Sequence, residues 1–140
     1  MTSSASRSSA VGLALRTLAS LSAGVLLAIA AGLVLGEYPF SGPGIQWLAM
    51  SGGAGVGAAM AWLFNRIWRW AVPRWMVAAG AVLASGGEML AVRRDTAPGD
   101  PWPPEAWVAV AAAAVVAVYG MLHATSGDTP GPPGHPYQSE

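Results

Sequence analysis

The chain has 140 residues, 54% of them hydrophobic and only 10% charged, and its formal net charge is zero. A soluble domain is roughly 25% charged, so this composition argues against an ordinary water-soluble fold, and the balanced charge offers no electrostatic basis for nucleic-acid binding. There is no cysteine, which excludes disulfides, iron–sulfur clusters, Cys-ligated zinc and thiol nucleophiles.

Residues 1–16 form a Ser-rich leader carrying Arg7 and Arg16, and its polarity predicts a mobile segment. An uncharged apolar run follows at 17–35. As a helix its nineteen residues span roughly 28 Å, close to the hydrocarbon thickness of a bilayer. A basic start, an apolar stretch and the small residues Ala28-Ile29-Ala30 also resemble a cleavable signal peptide. The run continues past that point through Ala31, Gly32, Leu33, Val34 and Leu35, which favours a retained helix. Gly36, Pro39, Gly42 and Pro43 then break it.

The second run is 44–64, with Gln46 and Ser51 as its polar side chains. A link at 65–74, rich in arginine and tryptophan, ends with Pro73 positioned for the first turn of the next helix. The third run is 75–92, interrupted only by Glu88. A polar loop, 93–104, leads into the fourth run at 105–122, where Glu105 falls in the first turn and suits the positive end of the helix dipole. The tail, 123–140, contains TPGPPGHP and is expected to be disordered or extended.

Four such runs predict an all-α integral membrane protein, a bundle of four transmembrane helices. Helices of a soluble bundle need polar outer faces, which these runs lack. Strands of a membrane barrel alternate apolar and polar residues over about ten positions, and no such alternation is present.

Short-loop arginines set orientation. Arg7, Arg16, Arg66, Arg69 and Arg74 collect on one side, against Arg93 and Arg94 on the other. Both termini are therefore expected in the cytoplasm. Trp62, Trp68, Trp70, Trp75 and Tyr119 then fall near the inner interface, and Tyr38, Phe40, Trp47, Trp102 and Trp107 near the outer one. Rings with one wet end favour that level. All basic residues are arginine and alanine is abundant, which points to a GC-rich bacterial genome and a bacterial cell membrane.

Three features carry candidate roles. The glycine-rich stretch 51–59 evokes a phosphate-binding loop, but such loops follow a strand in water. Its spacing fits helix packing instead: Ala49, Gly53, Gly57 and Ala61 recur every four residues, and Ser51, Gly55 and Ala59 form a second small-residue ridge. Glu88 is the only acid inside an apolar run, and intramembrane carboxylates are functional candidates. It shares a face with Gly80 and Ala84. About four residues, or roughly 6 Å, separate it from the expected end of its helix, so it could reach water or pair with Arg93, Arg94 or Gln46. Third, Arg66, Trp68, Arg69, Trp70, Arg74 and Trp75 interleave cation and indole, a composition suited to anionic headgroups and the acyl boundary. His123 suits a helix C-terminus and His135 lies in the tail; two isolated histidines make no metal site.

No residue set suggests catalysis or a cofactor. The expected role is a non-enzymatic accessory, assembly or scaffold subunit of a membrane complex, as a homo-oligomer or with other membrane subunits. The alternative is a small oligomeric transporter or channel with Glu88 coupling to protons or cations.

Overall fold

A computed structural model describes residues 3–37 and 44–124, with side chains described for 7–37, 44 and 47–124. Its elements are four helices: α1 (Ser3–Leu35), α2 (Ile45–Trp68), α3 (Arg74–Asp95) and α4 (Pro104–Ala124). All four are long and apolar enough to cross a membrane. The expected break around Pro39 and Pro43, the aromatics Tyr38 and Phe40, the side chain of Gln46 and the tail at 125–140 with His135 lie outside the described residues.

Every helix is longer than its apolar run, because helices stop at breakers rather than at the last apolar residue. The largest difference is at α1, which begins at Ser3 instead of after Arg16. The segment expected to be a mobile leader is thus helical from its third residue. Between Ser3 and Leu35 there is no proline, and serine, alanine and leucine are all acceptable in a helix. Likewise α2 continues past Phe64 through Trp68, which reduces the expected ten-residue link to a short turn. That turn is tight: Arg69 and Trp70 both adopt left-handed backbone, with φ of 49° and 69°. The Trp70 amide donates to the Asn65 carbonyl at 3.0 Å and the Ala71 amide to that of Trp68 at 3.1 Å. Pro73 caps α3 in extended conformation, and its carbonyl accepts the amides of Met76 and Val77. Between α3 and α4, Ala97-Pro98-Gly99-Asp100 makes a turn closed by the Asp100 amide on the Ala97 carbonyl at 3.1 Å. Gly99 supplies the φ of 97° that this turn requires.

Successive helices run antiparallel, yet the most extensive packing joins an alternate, parallel pair. α2 lies along α4 in the most extensive contact, α1 lies along α3, and α3 and α4 pack antiparallel. α1 and α4 occupy opposite corners without close approach among the described residues. Met60, Phe64, Trp68, Met76, Ala84, Ala113, Ala117 and Met121 form the main core. The first buried side chain of α1 is Ser20, level with the last residue of α2. The turns before it, with Val11, Leu13, Leu15 and Leu18, are exposed and extend roughly 25 Å beyond that level.

Candidate functional site: a buried carboxylate in a small-residue layer

The α2–α4 seam is built from backbone. A Cβ placed on Gly53 would land on the Ala109 carbonyl oxygen, and one on Gly57 on that of Ala113, with Ala117 N at 3.0 Å. On Gly120 it would meet the Ala61 methyl at 2.7 Å. The ridge of Ala49, Gly53, Gly57 and Ala61 is buried, and Gly53, Gly57 and Ala61 meet α4 of the same chain in this way. The second ridge differs. Gly55 has nothing within 4 Å, and the Ser51 hydroxyl donates back to the Trp47 carbonyl at 2.7 Å.

A third ridge escaped the sequence reading, although its four-residue spacing was available. Ser20, Gly24, Ala28 and Gly32 are the buried positions of α1's second half. They lie along α3: a Cβ on Gly24 would meet Leu83 at 2.7 Å, one on Gly32 Leu90 at 2.8 Å, and one on Gly87 the Ala28 carbonyl at 3.0 Å.

Glu88 sits within this framework. Its side chain is 1% exposed, and neither carboxylate oxygen has a hydrogen-bond partner among the described residues. It does not reach water, because α3 continues to Asp95; Glu88 therefore lies roughly 10 Å from the helix end rather than 6 Å. Arg94, one of its expected partners, instead faces Glu37 across 3.8 Å at the exposed end of the bundle. Gly80 abuts Met121 on the antiparallel α4, so eight residues further along each helix Glu88 is level with Ala113. At that level Gly57 meets Ala113, and Gly87 meets Ala28. Ala84, Ala91, Ala113 and Ala117 are fully buried. The acid thus stands among small apolar residues, with alanine, glycine and valine the buried neighbours along the adjoining helices. An unpaired carboxylate at such depth costs on the order of 3 kcal/mol even on insertion scales, and the layer holds little besides that one acid with which to do chemistry. Among the described residues no three His, Asp or Glu side chains gather into a metal-binding group.

The aromatic–arginine cluster separates into two kinds of residue. Arg66, Arg69, Trp70, Arg74 and Trp75 are exposed around the α2–α3 turn. Trp68 is not a lipid-facing anchor: it is 4% exposed, donates its indole N–H to the Ser20 hydroxyl at 2.8 Å and packs edge-on to Trp75 with centroids 6.4 Å apart. The reason is periodicity. With α2 unbroken, Trp68 falls four residues after Phe64 and eight after Met60, on the buried face. Nearby, Asn65 donates to the Gly120 carbonyl at 3.1 Å, while its own carbonyl oxygen is buried without a partner. His123 stacks on Tyr119 at 3.8 Å at the end of α4. At the opposite end, an open cleft of about 260 Å³ is lined by Trp47, Met50, Pro104, Glu105 and Val108.

Comparison with protein-family models, curated proteins and solved structures finds no match to this chain.

Proposed function

We propose that the chain is a non-catalytic, multi-pass protein of a bacterial cell membrane that serves as an accessory, assembly or scaffold subunit. The observation that carries this reading is α1. Its second half is packed on α3, while its first half extends past the bundle with Val11, Leu13, Leu15 and Leu18 exposed, a surface available to a larger partner. In this reading Arg66, Arg69 and Arg74 face anionic headgroups at the cytoplasmic side, and both termini are cytoplasmic. A reporter fused after Glu140 should be active only in the cytoplasm; activity outside would reverse the orientation. The functional test is native mass in mild detergent. An accessory subunit co-purifies in a defined complex with other membrane subunits, and removal of residues 3–16 releases it. A chain that runs alone or only as a homodimer, with or without those residues, refutes the proposal.

A second reading is supported by Glu88, whose two oxygens have no partner in the bundle. A small oligomeric transporter would use such an acid to couple to protons or cations. Proton flux into vesicles containing the chain, lost in Glu88→Gln, is the expected result; equal flux in both proteins removes this reading.

A further inference from the structure

Among the described residues, Glu88 is the buried side chain with no hydrogen bond from any of its polar atoms, whereas Asn65 is tied at least through its amide nitrogen. On the elements around it, α1 between Thr17 and Leu35, α2 between Trp47 and Phe64 and α4 between Ala106 and Val118 bear no titratable side chain. The nearest charges are Arg93, Arg94 and Asp95 at the end of its own helix, Glu37 just past α1 and Glu105 at the start of α4. The chemistry of the layer selects the occupant. A metal cation needs about six oxygens, and the layer of Gly57, Ala84, Ala91 and Ala113 adds no side-chain oxygen to the carboxylate's two. A proton needs one oxygen.

We propose that Glu88 is a membrane-embedded proton-binding site whose proton is lost only when α3 and α4 part and admit water, so that bundle opening is linked to pH. The loop end of the seam suits such motion. Ala84 and Ala91 on α3 and Ala109 and Ala113 on α4 carry only methyl groups, so the two helices can part there while Met121 stays seated on Gly80 at the other end. Water then has roughly 10 Å to travel from the α3–α4 loop end. Loss of one proton on opening makes the open-to-closed ratio rise with pH, by at most about tenfold per unit. This inference deepens the second functional reading but requires no net transport, so the two fail separately: flux can be absent while opening remains pH-linked.

The test is hydrogen–deuterium exchange of the full chain in lipid nanodiscs, read on α3 and α4 peptides after division by the intrinsic pH dependence of exchange. Between pH 6 and 8 the opening equilibrium should rise by about tenfold in the natural chain and stay flat in Glu88→Gln. Equal slopes in the two proteins, or a flat response in the natural chain, overturn the proposal. A second measurement needs no variant. A hydrophobic carbodiimide adds a carboxylic acid across its C=N bond, with the acid's oxygen bonding to carbon and its proton going to nitrogen. At acidic pH this reagent should label Glu88 in native membranes, whereas a water-soluble carbodiimide should label Glu37 and leave Glu88 free. Absence of the Glu88 adduct, or equal labelling by both reagents, overturns it as well.

Discussion

Adding a single methyl group to α2 should stabilise or destabilise the bundle depending on which of two neighbouring glycines receives it. In Gly53→Ala the new Cβ falls on the Ala109 carbonyl, 2.9 Å from its carbon and 3.1 Å from Ala109 Cα. These are backbone atoms, which cannot rotate aside. A normal carbon–oxygen approach is about 3.3 Å or more, so α2 must retreat from α4 by on the order of 1 Å. Such a gap forfeits a quarter to a half of each close contact of about 0.15 kcal/mol, or roughly 2 kcal/mol over about 40 atom pairs of the seam. Alanine returns about 1 kcal/mol of helix propensity, leaving a net loss of about 1 kcal/mol. In Gly55→Ala the new methyl meets nothing within 4 Å, so only the gain of up to about 1 kcal/mol operates. The two variants should therefore differ by about 2 kcal/mol. Gly80→Ala is an internal control. Its closest neighbour, Met121 Cε at 2.7 Å, ends a flexible side chain, so the cost should fall between the two. Unfolding in mixed micelles of rising SDS content, followed by tryptophan fluorescence, measures all three. Equal stability of Gly53→Ala and Gly55→Ala within about 0.5 kcal/mol would refute the backbone-contact account of this seam.

Two further outcomes are expected in the same assay. Ser20→Ala removes the acceptor of the buried Trp68 indole and should cost about 1–3 kcal/mol, with Ser20→Thr restoring most of it; an unchanged Ser20→Ala would mean that the indole finds water. Glu37→Gln breaks the Arg94 pair, whose side chains are 44% and 74% exposed, and should cost under about 0.5 kcal/mol; a larger loss would mark the pair as a structural clamp.

What could be read from the sequence followed from solvent. Long apolar runs, one of them interrupted by Glu88, locate the four helices, because in lipid each backbone group must be satisfied within its own segment. Their ends were misjudged by treating polarity as a stop signal. Ser and Arg at the start of α1, and Asn65 and Arg66 in α2, continue a helix perfectly well; Pro73 and the left-handed Arg69 and Trp70 stop one. That error carried Trp68 to the lipid boundary, although its register with Met60 and Phe64 places it in the core. Glu88 stood out because a charge in an apolar run is rare, but its lack of a partner depends on side chains from three other helices. The Ser20–Gly32 ridge has only two glycines in thirteen residues and gives a fainter signal than the denser glycine cluster of α2.

The pairing of α2 with α4 also has a consequence in time. During synthesis α2 emerges two helices ahead of its main partner, and until α4 arrives Gly53 and Gly57 are uncovered. α1, by contrast, has α3 to dock on first. The seam with the closest backbone approach is thus closed last, and a chain halted before Pro104 would leave the Gly53–Gly57 groove bare.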